Sequence, residues 1–100
     1  MKPDKMRNEG HVKAEVKKLL TAIGAWYTMP FQAGYTQAGV PDILVCWRGR
    51  FVGIETKFGY NKPTALQERQ LQAIQDAGGV SLVVSEKNIE QLYTLLEAEK

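Results

Sequence analysis

The sequence is poor in several kinds of residue, and each shortage excludes a class of protein. It contains one cysteine, Cys46, and one histidine, His11, so it has neither a disulfide framework nor a zinc site built from cysteine and histidine. It has no run of about eighteen apolar residues, which a membrane-spanning helix requires, and no signal-peptide pattern at its start. We therefore expect a cytoplasmic protein in which Cys46, set within an apolar run, is a buried small hydrophobe.

The sequence also lacks a strong excess of charge of either sign. Its formal net charge is +2 over 100 residues, which is too small by itself to indicate a nucleic-acid partner. Residues 1–18 hold six basic and three acidic residues, and residues 47–69 hold five basic and two acidic residues. Residues 75–100 show the reverse, with two basic and five acidic residues. This asymmetry indicates a basic side suited to phosphates, although solvated charge on ordinary helix faces explains any single residue about equally well.

Apolar periodicity and turn residues predict seven elements. They are helices over residues 9–23, over residues 65–77 and after residue 85, and strands over residues 26–32, 43–47, 51–54 and 80–84. We expect the last strand to run parallel to the strand before it, because a helix connects the two. The predicted fold class is α/β, with a central mixed β-sheet of about four strands flanked by helices in one domain over residues 1–100.

The stretch from residue 43 to residue 54 predicts a β-hairpin. Two apolar runs flank the step Arg48-Gly49, which is typical of a tight turn between antiparallel strands. A turn of two residues pairs Trp47 with Arg50. Because both faces of these strands carry apolar residues, we expect both faces to be covered.

The register of this hairpin sets Asp42 opposite Glu55, with Lys57 on the same face because strand side chains alternate. Like charges placed opposite each other in a sheet are destabilising. A divalent cation held by the two carboxylates would compensate, since hard oxygen ligands suit Mg²⁺ and Mn²⁺. An alternative register, with a longer loop or a bulge at the turn, would place Thr56 opposite Asp42. An alternative to a metal site is a salt-bridge cluster of these three side chains on an exposed sheet face.

The first helix offers a further acidic residue. This helix has an apolar stripe along one side. At 100° per residue, Glu9 lies about 35° from the centre of the stripe, and Glu15 lies about 85° from the centre on the other side. We expect Glu9 to face the interior, with Glu15 as the fallback or as part of a solvated helix surface. Glu9 could instead only complement the helix dipole. His11 lies about 125° from the stripe, so we expect it to be exposed.

Several segments carry a family resemblance. Pro41-Asp42 followed in the next strand by Glu55-Thr56-Lys57 resembles the core motif of the restriction-endonuclease-like nucleases, the PD-(D/E)xK superfamily. The segments Gly39-Val40-Pro41-Asp42, Ile54-Glu55-Thr56-Lys57, Pro63-Thr64-Ala65-Leu66-Gln67 and Glu9-Gly10-His11-Val12-Lys13 resemble the stand-alone VRR-NUC domains of phages and prophages. The similarity covers residues 9 to about 84, which makes it more specific than the short motif alone.

This resemblance implies a restriction-endonuclease-like fold and a DNA endonuclease that depends on Mg²⁺ or Mn²⁺. It implies that Asp42 and Glu55 bind the metal with the backbone carbonyl of Thr56, and that Glu9 holds a ligating water or a second ion. Lys57 would orient or deprotonate the attacking water. The resemblance also places Gln67 in the active site. A capping box with Thr64 explains Gln67 equally well, and the two roles are compatible.

Stand-alone domains of this kind are associated with symmetric dimers that cut branched DNA. The resemblance therefore implies a homodimer similar to Holliday-junction resolvases, encoded by a phage or prophage and active in a bacterial host cell. The residues predicted to contact DNA are Tyr35, Gln37, Arg48 and Lys62. The alternatives are a non-catalytic nucleic-acid-binding module of the same fold, a nicking nuclease without junction preference, and an RNase.

Overall fold

The described residues form seven elements, which follow one another in the order predicted from the sequence. The computed structural model describes residues 6–31 and 38–98. The elements are α1 (Glu9–Ile23), β1 (Trp26–Thr28), β2 (Ile43–Trp47), β3 (Arg50–Thr56), α2 (Ala65–Asp76), β4 (Val80–Val84) and α3 (Ile89–Ala98). No helix within the described ranges is long and apolar enough to cross a membrane. The assignment of residues 1–100 to one domain stays a prediction.

The four strands form one sheet in the order β1-β2-β3-β4. The first three strands are antiparallel, and β4 runs parallel to β3 because α2 carries the chain back across the sheet. This confirms the predicted mixed sheet. The predicted strand over residues 26–32 is wrong in length, since β1 ends at Thr28; Pro30, two residues later, has no N–H to donate to a sheet.

The hairpin turn has the two residues that the sequence predicts. Arg48 (φ 53°) and Gly49 (φ 81°) both adopt positive φ, as a type I′ turn requires. The strands pair Trp47 with Arg50 at the turn and Ile43 with Ile54 at the far end. Continuing this register by one residue brings Asp42 beside Glu55.

One face of the sheet carries the core, which it forms together with α1 and α3. The cluster includes Ile43, Val45, Trp47, Val52 and Ile54 from the sheet, Val12, Val16, Leu19 and Leu20 from α1, and Ile89, Leu92 and Leu96 from α3. The indole N–H of Trp47 donates to the carbonyl of Leu96 over 3.0 Å. This bond fixes the end of β2 nearest the turn against α3.

Helix α2 lies on the other face, over β3 and β4. Gly53 permits this packing, because a Cβ at that position would lie 2.7 Å from Cδ1 of Ile74. The half of this face nearer β1 is not covered by α2. Cys46 is therefore exposed, and its partner on β3, Phe51, is 44% exposed. The prediction of a buried cysteine is wrong, and the predicted cover on both faces holds only for the part of β3 from Val52 to Thr56.

Helix α1 has the predicted limits. The side chain of Asn8 accepts a hydrogen bond from the backbone N–H of His11 over 2.9 Å, and Gly24, with φ 80°, ends the helix. His11 is exposed, as predicted. The solvated surface predicted for Glu15 is wrong, because Glu15 is buried. Its carboxylate accepts a hydrogen bond from Lys18 over 3.2 Å, which supplies the partner that a buried charge requires.

Candidate active site

The start of β2 and the end of β3 hold two carboxylates side by side. The Oδ2 atom of Asp42 accepts hydrogen bonds from the backbone N–H of Thr56 over 3.0 Å and from the Thr56 hydroxyl over 2.8 Å. The other oxygen, Oδ1, lies 3.9 Å from Nζ of Lys13. Asp42 therefore uses one oxygen to fix its own position and presents the other to a cation.

Glu55 is a buried carboxylate that is only half satisfied. The residue is 1% exposed, and its Oε2 atom lies 3.3 Å from Nζ of Lys57. Its Oε1 atom is buried, and no group within the described residues donates a hydrogen bond to it. A buried acceptor without a partner is destabilising, so Oε1 marks a position that a hydrogen-bond donor or a cation would stabilise.

The electrostatics of Glu55 agree with this geometry. The pKa of Glu55 is raised from 4.5 to about 7, mainly by burial and to a smaller extent by the negative charges of Asp42 and Glu9. The ammonium of Lys57 acts in the opposite direction. Because burial and the neighbouring carboxylates disfavour the ionised form of Glu55, a cation bound beside it would stabilise that form.

Helix α1 brings two charged side chains to these carboxylates. Glu9, in the first turn, is partly buried, and its charge acts on Glu55, whereas Glu15 is paired with Lys18. Glu9 is thus the acidic residue of α1 that faces the site. Lys13 follows one turn later, and its Nζ faces Asp42. Lys13 is not among the residues that the sequence pattern predicts for this site, although its spacing of four residues from Glu9 places both on one helix face.

Gln67 forms the capping box that the sequence predicts. The backbone N–H of Thr64 donates to Oε1 of Gln67 over 2.9 Å, and the N–H of Gln67 donates to the Thr64 hydroxyl over 3.2 Å. This first turn of α2 lies against the segment that leads to Asp42, because a Cβ at Gly39 would be 2.8 Å from the N atom of Gln67. The structural role of Gln67 is confirmed, and its place in the chemistry stays a prediction.

The predicted DNA contacts are spread more widely. Arg48 lies in the hairpin turn, 5.0 Å from the centre of the Trp47 ring, and roughly 20 Å along β2 from Asp42 at about 3.3 Å per residue. Lys62 is exposed just before α2. Tyr35 and Gln37 lie outside the described residues. The fold therefore gathers Glu9, Asp42, Glu55, Thr56 and Lys57 but leaves Arg48 at the other end of the hairpin.

The donor set suits a metal ion that retains water ligands. Within residues 6–31 and 38–98, no group of three or more histidine, cysteine, aspartate or glutamate side chains could hold a metal ion. A metal here would have the carboxylates of Asp42 and Glu55 as its side-chain ligands, and backbone carbonyl or water oxygens as the rest. Mg²⁺ commonly binds through one or two carboxylates and keeps several waters. The residues present, including the unpartnered Oε1 of Glu55, therefore fit such an ion.

Comparisons with known proteins identify the fold. No protein-family model matches the sequence, and no curated protein is significantly similar to it. Among solved structures, the chain is similar to a VRR_NUC domain protein with a TM-score of 0.75 and 17% identity, over 96% of this chain and 93% of that one. It is also similar to a VRR_NUC domain with a TM-score of 0.70 and 29% identity, over 86% of this chain and 94% of the other.

A third similar structure is Hjc of Archaeoglobus fulgidus, a Holliday junction resolvase from an archaeal hyperthermophile. The TM-score is 0.58 and the identity 19%, over 76% of this chain and 66% of that one. Together these structures confirm the restriction-endonuclease-like fold and the resemblance to VRR_NUC domains. The origin in a phage or prophage stays a prediction.

Proposed function

We propose that this chain, which has the fold of VRR_NUC domains, is a metal-dependent endonuclease that hydrolyses phosphodiester bonds in DNA. The observation that carries the proposal is the buried Oε1 atom of Glu55, which has no hydrogen-bond partner in the part of the chain that the structure describes. Glu55 lies one register step from the pair Ile43 and Ile54 and beside Asp42. The fold places this buried carboxylate next to the carboxylate of Asp42, which is unfavourable unless a cation is bound between them. The two VRR_NUC structures and the resolvase structure support the same class of activity.

Asp42 and Glu55 would hold Mg²⁺ or Mn²⁺, with the backbone carbonyl of Thr56 and with Glu9 acting through a water molecule. The bound ion would polarise the phosphate and lower the pKa of a bound water. Thr56 keeps Asp42 oriented through its two hydrogen bonds. Burial of the Thr56 and Glu55 side chains keeps the ligands in one arrangement, so little reorganisation is needed when the substrate binds.

Lys57 would orient the attacking water and, as an ammonium, stabilise the negative charge that develops on the phosphorane. Its side chain is 13% exposed and lies 3.3 Å from Glu55, while its backbone N–H donates to Val84 over 2.9 Å. The ammonium is therefore held at a fixed place. Loss of one such stabilising group typically lowers the rate by about 10² to 10³.

We further propose that the substrate is branched DNA and that the active species is a homodimer. The likeness to a Holliday junction resolvase supports this choice. One chain has one set of these carboxylates, and paired cuts on two strands are most simply made by a two-fold dimer. A non-catalytic DNA-binding module would leave Glu55 Oε1 unpartnered, and a nicking nuclease would not require the dimer.

The test compares the wild type with Lys57→Ala on four-way DNA in Mg²⁺ or in EDTA. We expect cleavage only by the wild type with Mg²⁺, while the variant still binds DNA. Lys17→Ala, which removes the same charge from the groove between α1 and Tyr27, is the control and should cut normally. Cleavage by Lys57→Ala at the wild-type rate would contradict the role of Lys57.

Substrate choice is tested with linear duplex, splayed and four-way DNA and with single-stranded RNA. Under the proposal, four-way DNA is cut fastest, and the RNA is not cut. Equal cutting of all four substrates would refute the junction preference but leave the nuclease activity in place.

A further inference from the structure

The two carboxylates of the site each face one lysine, and the two contacts differ. Lys57 lies 3.3 Å from Glu55 with 13% of its side chain exposed. Lys13 lies 3.9 Å from Asp42 with 30% exposed. A longer and more solvated ion pair contributes little to stability. Lys13 can therefore leave Asp42 at low cost, whereas Lys57 is held in place.

The contact of Lys13 involves the one oxygen of Asp42 that a cation could use. Oδ2 is engaged by the N–H and hydroxyl of Thr56, so only Oδ1 is available to a metal ion. Oδ1 is also the atom that Lys13 faces. An ammonium and a divalent ion thus compete for the same position.

Once displaced from Asp42, the ammonium of Lys13 remains near the carboxylates. Helix α1 is fixed at its start by the cap at Asn8 and along its length by the buried residues Val12 and Val16, which flank Lys13 in the sequence. The side chain has about four rotatable carbons with which to move, while its backbone stays in place. Its next partner would be an anion beside the metal, and in a nuclease that anion is a phosphate of the substrate.

We propose that Lys13 binds the DNA phosphate next to the cleaved bond, and that its ammonium occupies the cation position at Asp42 until a divalent ion takes that position. This inference rests on the proposed nuclease function. Lys13 then weakens metal binding in the absence of DNA and strengthens DNA binding when metal is present. Metal and DNA binding are coupled by this exchange, because the group that one ligand releases becomes available to the other.

The first test measures Mn²⁺ binding without DNA by calorimetry. The variants are Lys13→Gln, Lys13→Arg and the control Lys17→Gln, which removes the same charge one helical turn away, where it lines a groove with Thr21 and Tyr27. Lys13→Gln should bind Mn²⁺ about threefold to tenfold more tightly than the wild type, since a competing positive charge is gone. Lys13→Arg and Lys17→Gln should bind it like the wild type.

The second test measures binding of four-way DNA in Mg²⁺ at several salt concentrations, in a Lys57→Ala background that prevents cleavage. Adding Lys13→Gln should weaken binding and lower the slope of log affinity against log salt by about one phosphate contact. Adding Lys13→Arg should retain the slope. Adding Lys17→Gln gives the effect of removing one distant positive charge.

Each result decides one question. Unchanged or weaker Mn²⁺ binding by Lys13→Gln, or a salt slope equal to that of Lys17→Gln, would overturn the role of Lys13. If Lys13→Arg behaved like Lys13→Gln in both assays, the positive charge would be irrelevant and the inference would fail. A wild-type protein that binds no Mn²⁺ would instead refute the metal site at Asp42 and Glu55, and with it the proposed function.

Discussion

The replacement Glu55→Gln tests the central feature of the site, because it keeps the shape of the buried side chain and removes its charge. Burial, together with the nearby charges of Asp42 and Glu9, outweighs the ammonium of Lys57 and raises the pKa of the Glu55 carboxyl from 4.5 to about 7. The folded protein therefore binds a proton on Glu55 more tightly than the unfolded chain does. The stabilisation from this proton is fully present below pH 4.5, and it is lost as the pH rises through about 7.

The size of this effect follows from the two pKa values. A rise from 4.5 to about 7 corresponds to about 3 kcal/mol at 25 °C. Without metal, the wild type should lose about this much of its free energy of unfolding between pH 4.5 and pH 8 relative to Glu55→Gln. The variant carries no titrating group at this position, so its own curve lacks this decline.

The assay is urea unfolding at a series of pH values in EDTA, with the difference between the two proteins as the readout. Glu68→Gln, an exposed glutamate in the first turn of α2, is the control and should follow the wild type. Adding Mn²⁺ at pH 8 should restore stability to the wild type, because the ion binds only the folded state, and it should not do so for Glu55→Gln. A wild-type curve parallel to that of Glu55→Gln from pH 4.5 to pH 8 would refute the reasoning.

Two further predictions concern the parts of the fold that hold the site. Gly39→Ala should destabilise the protein by at least about 2 kcal/mol, because Gly39 has φ 82° and a Cβ there would lie 2.6 Å from the backbone of Leu66. Gly49→Ala, with φ 81° and no atom within 4 Å, is the matched control and should cost only about 1 kcal/mol; equal losses in urea unfolding would contradict the contact with α2. Trp47→Phe should lower the free energy of unfolding by about 1 to 3 kcal/mol, since it removes the hydrogen bond to Leu96, and unchanged thermal stability would show that this bond is dispensable.

The features that the sequence predicts correctly depend on residues close together in the chain. Helix α1 begins after Asn8 and ends at Gly24 because a capping side chain and a glycine act within one turn. The hairpin register follows from two turn residues with positive φ. Since the register fixes which residues are opposite each other, the sequence alone places Asp42 beside Glu55.

Burial is where sequence-based prediction fails, because it depends on elements far apart in the chain. Cys46 lies in an apolar strand but is exposed, since α2 packs over β3 and β4 and leaves its part of the sheet face uncovered. Glu15 is buried and paired with Lys18. Neither outcome is visible in the periodicity of a single element.

The sequence by itself determined the order of the elements, the limits of α1 and the neighbouring positions of Asp42 and Glu55, because caps, turns and strand alternation are local rules. Only the tertiary structure brought Lys13 of α1 to Asp42 and left one oxygen of Glu55 buried without a hydrogen-bond partner among the described residues. The contact between Lys13 and Asp42 joins segments 29 residues apart in the chain. The distance between Lys13 and Asp42 depends on how α1 packs against the end of the hairpin. That packing is determined by the whole core rather than by any one stretch of residues.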